Sequence, residues 1–171
     1  MKIRFNFLTA ILMTGILSFS CDYENESQQQ QDIRGQLTGH SECKSSMALR
    51  NTEETADSLS CVEYSYDEAS NRLTLHHINA GFNCCPGNLS CAVTMRNDTI
   101  LIAESEEHYL CNCDCLYDLD IEVNGVENRK YLIKFSEPYL GDQEPLIFEA
   151  DLSASATGSY CVARFQYPWG T

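Results

Sequence analysis

Residues 111–125 read Cys-Asn-Cys-Asp-Cys-Leu-Tyr-Asp-Leu-Asp-Ile-Glu-Val-Asn-Gly, and their two-residue alternation decides the fold. In an extended chain, successive side chains point to opposite faces. One parity carries Cys111, Cys113, Cys115, Tyr117, Leu119, Ile121 and Val123. The other carries Asn112, Asp114, Asp118, Asp120 and Glu122. With an early start, the stretch is a half-buried strand whose cysteines face the core and whose acids face water. Asn124-Gly125 then begins a turn, because this pair tolerates the positive φ that hairpins need.

The same pattern recurs on both sides. Leu59–Tyr66, Arg72–Asn79, Leu89–Arg96, Thr99–Glu104, Cys115–Val123, Lys130–Ser136, Leu146–Leu152 and Ser159–Tyr167 all read as strands. Val62, Tyr64 and Tyr66 share one face. Tyr131, Ile133 and Phe135 share another, with Lys130, Leu132 and Lys134 opposite. Asn97-Asp98 joins two strands tightly. No stretch keeps a helical period, and the polar stretch Glu42–Ser58 reads as a loop rather than a short helix. Short strands at even spacing predict an all-β domain: an antiparallel β-sandwich, immunoglobulin-like in general form, with a closed β-barrel as the alternative. Residues 35–171 suffice for one two-sheet core, and no internal repeat is present.

Before this domain lie an address and a tether. Met1-Lys2-Ile3-Arg4 is a basic n-region, and Phe5 to Phe19 is an uncharged, mostly apolar h-region. It is shorter than the roughly 20 residues a membrane span needs, so residues 1–20 read as a signal peptide. Leu17-Ser-Phe-Ser-Cys21 looks like a relaxed lipobox, which makes Cys21 the lipidated residue of an exported, membrane-anchored protein. The alternative is ordinary cleavage after Ser20. Residues 21–34, acidic and then Gln-rich, bury too little to offset their ordering entropy and read as a flexible tether. Asp22, Glu24 and Glu26 behind the lipid resemble acidic export signals of Bacteroidetes-type surface lipoproteins.

The compartment sets the reading of ten cysteines in 171 residues. Outside the cytoplasm the first reading is disulfides. The candidates are Cys43, Cys61, Cys84, Cys85, Cys91, Cys111, Cys113, Cys115 and Cys161. Residues i and i+2 of a strand match disulfide geometry poorly, so Cys111, Cys113 and Cys115 should pair with another segment, and Cys84, Cys85 and Cys91 are the natural partners. Cys43–Cys61 is a local pair on this reading, which leaves Cys161 unpaired. Cys91 shares parity with Val93 and Met95, and Cys161 with Ala163, Phe165 and Tyr167, which places both cysteines on core faces. The alternative reading is a zinc or copper site built from Cys84, Cys85, Cys91, Cys111, Cys113 and Cys115, with His76, His77 or His108 as further ligands. There is no CxxC knuckle or thioredoxin-like motif.

Other motifs carry less. Asp118-x-Asp120-x-Glu122-x-Asn124-Gly125 lacks the glycine and glutamate spacing of a calcium loop and reads as a solvated strand face. His76 and His77 are adjacent in a strand, so one faces water and the other packs. Asp57-Ser58-Leu59 and Asp98-Thr99-Ile100 resemble an O-glycosylation sequon of Bacteroidetes-type exported proteins, making Ser58 and Thr99 candidate glycan sites. GxSxG, HExxH, P-loop and GxGxxG motifs are absent from the sequence.

His77-Ile-Asn-Ala-Gly-Phe-Asn-Cys-Cys-Pro, Cys111-Asn-Cys-Asp-Cys-Leu-Tyr-Asp-Leu and Tyr167-Pro-Trp-Gly together resemble a group of uncharacterised Cys-rich lipoproteins of gut Bacteroidetes. The resemblance spans most of residues 60–171. It implies an outer-membrane or cell-surface location and carries no catalytic residue. Without the first twenty residues the chain has 9 basic against 25 acidic side chains, a net charge of −16, which repels nucleic acid. The composite reading is a lipid-anchored, disulfide-stabilised, non-catalytic binding or structural module with an envelope or extracellular partner. Tyr160, Tyr167 and Trp169 form a candidate contact patch, although Trp169 reads first as packing on the sandwich edge. The metal-binding lipoprotein is second and an enzyme third.

Overall fold

The computed structural model describes residues 32–44, 55–108 and 110–169. The signal peptide, Cys21, most of the tether and most of Glu42–Ser58 lie outside the described residues. Nine strands follow in chain order: β1 Arg34–His40, β2 Leu59–Asp67, β3 Arg72–Asn83, β4 Leu89–Arg96, β5 Thr99–Glu106, β6 Asp114–Asn124, β7 Lys130–Ser136, β8 Ile147–Asp151 and β9 Thr157–Ala163. They form one sheet in the order β1-β6-β3-β2-β9 and a second in the order β4-β5-β7-β8. The described residues contain no helix and no closed barrel. The first sheet is antiparallel throughout. The second is mixed, because β5 and β7 run parallel. A purely antiparallel arrangement is therefore corrected: β6 returns to the first sheet between β5 and β7, and that crossover brings β7 back in the direction of β5.

Alternation builds the core. Tyr117, Leu119, Ile121 and Val123 of β6 face inward with Leu73 and Leu75 of β3 and Val62 and Tyr66 of β2. Ile100 and Ile102 of β5, Tyr131, Ile133 and Phe135 of β7, and Phe148 and Ala150 of β8 meet them from the second sheet. Each such side chain contributes about 1.5–3 kcal/mol by leaving water. Asn97 has φ 54° and closes the two-residue β4–β5 hairpin, and Gly125 has φ 83° in the turn after β6.

β1 is the strand whose sequence shows no apolar stripe. Its inward positions are Gly35 and Leu37, a register shift then turns Gly39 to the side of the exposed Asp120, and Gly35 lies directly against Val93 of β4. Here the edges of the two sheets come together, and a side chain at position 35 would collide with Val93. The lack of a stripe is thus the condition for closing this seam.

A bulge divides β3. The register with β6 shifts between His77 and Ala80, so inward parity passes from Leu73, Leu75 and His77 to Ala80 and Phe82. Asn79 sits in the bulge at φ 62°, a conformation Asn tolerates better than most residues. Its amide donates to the carbonyls of Ala56 and Leu59 and accepts from Lys44, and its N–H donates to Asp118. Its own carbonyl accepts from the indole of Trp169 at 2.6 Å. Trp169 is 1 % exposed and lies against Gly81, where an added Cβ would stand 2.6 Å from the ring. The described tail after β9 is thereby packed against the sheet.

Gly81→Ala is expected to push Trp169 out of place and destabilise the fold by roughly 1–3 kcal/mol, the usual range for overpacking. Trp169 is the sole tryptophan, so denaturant unfolding followed by its fluorescence reports both effects. Unchanged stability and emission would show that this packing does not depend on Gly81.

Candidate functional site

The β3–β6 ladder ends at Asn83 opposite Asp114. Beyond it the two chains run on side by side, joined by Cys84–Cys113 and Cys85–Cys111, with Cα separations of 5.6 and 5.4 Å. Cys43–Cys115 ties the segment after β1 to the start of β6. The fourth disulfide, Cys61–Cys161, joins residues directly opposite in β2 and β9. Four disulfides point to an oxidising, extracytoplasmic compartment.

These pairings differ from the sequence reading in three ways. Cys43 bonds Cys115 rather than Cys61, because β2 places Cys61 beside β9. Cys161 is bonded, and Cys91 is the free cysteine among the described residues. Cys161, Ala163 and the residues in step with them, Phe165 and Tyr167, face outward; Tyr160, Val162 and Arg164 are the inward set. Cys111 and Cys113 precede β6, and only Cys115 joins its buried face. Of the six cysteines in the metal reading, the structure brings together Cys84, Cys85, Cys111 and Cys113. Cys115 is bonded to Cys43, and Cys91 sits on β4 opposite Glu104.

Asn83, 3 % exposed, organises this end. Its side-chain NH₂ donates to the carbonyls of Cys111 and Cys113 at 2.7 and 2.9 Å. Its Oδ1 accepts from the N–H groups of Cys85 and Cys111 at 2.9 and 3.2 Å. Its backbone N–H donates to Glu106, which also accepts from the Tyr139 hydroxyl at 2.6 Å. Burial, then the charge of Glu106, pushes the Asp114 carboxyl above its ordinary pKa. The Tyr167 hydroxyl accepts from the Asp114 N–H at 2.8 Å and donates to the Asp114 carbonyl at 2.7 Å. Its ring nevertheless stays 56 % exposed, beside Phe165 at 71 %. A hollow of about 360 Å³ opens here, lined by Asn83, Cys111, Asn112, Asp114, Tyr139 and Tyr167. The sequence named Tyr167 as a contact residue. Of the two aromatics grouped with it, Trp169 is buried, in keeping with its packing reading, and Tyr160 stacks on Phe148.

A second constellation lies between the sheets. Ser60 Oγ is 2.9 Å from His77 Nε2, and His77 Nδ1 is 2.7 Å from Glu104. These contacts have the order of a nucleophile, a base and an orienting acid. The Ser60 hydroxyl is fully buried, which gives a substrate no approach to it. Glu137 lies 4.0 Å from His77 Nε2 and takes both its hydrogen bonds at 2.7 Å from Arg164, whose guanidinium also stacks on Trp169. Burial opposes protonation of His77, but Glu104 and Glu137 together outweigh it and hold the imidazole above its ordinary value of 6.5. Burial in turn raises the Glu137 carboxyl, against the opposing pull of His77 and Arg164, so an imidazole and a guanidinium meet two carboxyl groups in the core.

Elsewhere, His76 is partly exposed and bonds Asp120 at 2.7 Å, so the two adjacent imidazoles do face opposite ways. Asp118 and Glu122 likewise pair with Lys44 and Arg72, as a solvated strand face would. Ser58 is exposed in the turn before β2, and Thr99 is half-buried at the start of β5. No helix among the described residues is long and apolar enough to cross a membrane. No family model, curated protein or solved structure matches the chain.

An imidazole whose pKa is higher folded than unfolded contributes stability that is complete below the unfolded value and lost as pH rises through the folded one. The unfolding free energy is accordingly expected to decline above pH 6.5, with the His77 ring losing its proton over the same range. Denaturation at several pH values and an NMR titration of the imidazole check this. A ring that titrates below 6.5 would contradict the ionic reading of the core.

Proposed function

We propose that this chain is an exported, lipid-anchored, non-catalytic binding module, and that its ligand is an uncharged saccharide chain held at the Cys-pinned end of the sandwich. The observation carrying this reading is Tyr167: an exposed ring fixed in place by two hydrogen bonds to Asp114, above a hollow that offers Asn112, Asp114 and Tyr139. A rigid aromatic face beside amide and carboxylate groups suits a sugar, which presents an apolar C–H face and a rim of hydroxyls. A net charge near −16 disfavours anionic glycans.

The anchor side of the reading rests on the signal sequence, the lipobox ending at Cys21, the resemblance to Bacteroidetes lipoproteins and the disulfides. β1 starts at Arg34, opposite Asn124, while the hollow adjoins Asp114 at the other end of β6, a distance of about 33 Å at the usual rise per residue. A tether leaving Arg34 therefore sets the hollow away from the membrane. We read the two-sheet form as immunoglobulin-like only in its general layering.

Substitutions at two positions test the halves separately. Cys21→Ser is expected to move the chain from the membrane to the soluble fraction and to abolish labelling by a palmitate analogue; retention of both would sink the anchor. In affinity electrophoresis against neutral polysaccharides, the wild-type chain should be retarded. Tyr167→Ala should weaken this about tenfold or more, the loss typical of an aromatic anchor, and Tyr167→Phe less, because the ring remains. Migration unaffected by every polysaccharide would remove the saccharide reading.

A further inference from the structure

We propose that Cys84, Cys85, Cys111 and Cys113 form a second, reduced state that binds one thiophilic d¹⁰ cation, zinc or copper(I), through four thiolates. The sulfur atoms of Cys84, Cys85 and Cys111 all lie within 4.8 Å of one another, and that of Cys113 is bonded to Cys84. A tetrahedral site with metal–sulfur bonds near 2.3 Å needs sulfurs about 3.8 Å apart, so three of the four sulfurs already stand near ligand spacing, and Cys113, once released from Cys84, must swing in as the fourth.

What favours a metal site over a simple double staple is the way the backbone is held. Three hydrogen bonds between the Asn83 side chain and Cys111 and Cys113, and one from the Cys84 N–H to the Cys113 carbonyl at 3.0 Å, fix the two cysteine segments to each other without using either disulfide. The four side chains therefore stay gathered after reduction. None of the four is fully buried: Cys113 is exposed and Cys84, Cys85 and Cys111 are half-buried, so a reductant and a cation can reach them. Glu106 and Asp114 beside the cluster add negative potential that draws a cation in.

The chemistry balances with a dithiol reductant. Each of two dithiol molecules gives two electrons and two protons to one disulfide and becomes a disulfide itself, leaving four thiols. The cation then takes the place of the four thiol protons as four metal–sulfur bonds form.

The test uses the full-length chain, incubated anaerobically with limiting dithiothreitol and one equivalent of Zn²⁺ or, in parallel, of copper(I). Metal per chain is measured after desalting, and free thiols are alkylated and mapped by mass spectrometry. One zinc or one copper(I) per chain is expected, with Cys84, Cys85, Cys111 and Cys113 protected from alkylation. Asn83→Ala, whose disulfides still hold the oxidised form, should weaken uptake about tenfold or more, as loss of outer-shell support usually does. The Cys85→Ser/Cys111→Ser variant, which keeps Cys84–Cys113, should take up neither ion. Reduction of the four cysteines without stoichiometric uptake, protection of other cysteines instead, or a red shift of Trp169 emission before metal is bound would each overturn the proposal.

Discussion

The ladder between β3 and β6 runs from Arg72 opposite Asn124 to Asn83 opposite Asp114, and nearly every functional feature is placed by its register. Its inner face supplies the centre of the core. Its bulge shifts parity so that both His77 and Phe82 point inward although they are five positions apart in the chain. The same bulge frees the Asn79 carbonyl to receive Trp169, which fixes the tail carrying Phe165 and Tyr167. At the far end, hydrogen-bonded pairing gives way to covalent rungs, so the loops that shape the hollow are extensions of a strand pair. A one-residue slip would turn every inward side chain outward.

The buried charges make such a slip costlier. Buried ion pairs are weak evidence for stability, since desolvation offsets much of their attraction. Removing one partner is a different matter and typically costs about 3–5 kcal/mol, because the remaining charge is stranded. Here Ser60 on β2, His77 on β3 and Glu104 on β5 must meet Glu137 beyond β7 and Arg164 beyond β9. The Oε2 of Glu104 and the Nε of Arg164 are buried with no hydrogen-bond partner, so the network is not saturated. Its contribution is better described as selecting one alignment of the two sheets than as adding net stability. The triad-like order of Ser60, His77 and Glu104 follows from that alignment, with the Ser60 hydroxyl fully buried inside it.

Local alternation made most of this legible. Lys130–Ser136 and Leu89–Arg96 have the bounds read from sequence, because polar turns stop them at both ends. The sequence showed that one of His76 and His77 packs without saying which, and it did not single out Glu104, although His77 and Glu104 are in step with Leu73 and Leu75 and with Ile100 and Ile102. Glu137 and Arg164 continue the inward parity of Tyr131, Ile133 and Phe135 and of Tyr160 and Val162, but the reading stopped the first strand at Ser136 and gave the last the opposite inward face. β1 was hidden by its glycines, whose purpose appears only when β4 is brought against them. The last strand was read too long: Ala163 ends it, and the N–H groups of Phe165 and Gln166 turn to the side chain of Gln143. Disulfide partners are set by which strands adjoin, and β2 adjoins β9 across a sequence separation of 100. No spacing rule reports that.

The distribution of the staples has its own logic. Ladder ends and connecting loops open more readily than sheet centres. A binding hollow made of loops loses affinity by the entropy needed to order it. Cys84–Cys113 and Cys85–Cys111 join positions 29 and 26 residues apart, and each such closure restricts the unfolded chain by about 3 kcal/mol or more in the loop-entropy account. The opposite end, where β1 begins and the proposed tether leaves, carries none of these bonds. Rigidity is thus concentrated where a ligand would meet the protein. The Asn83 hydrogen bonds overlap with the disulfides there, and this overlap lets a site defined by oxidation in one state keep its shape in another.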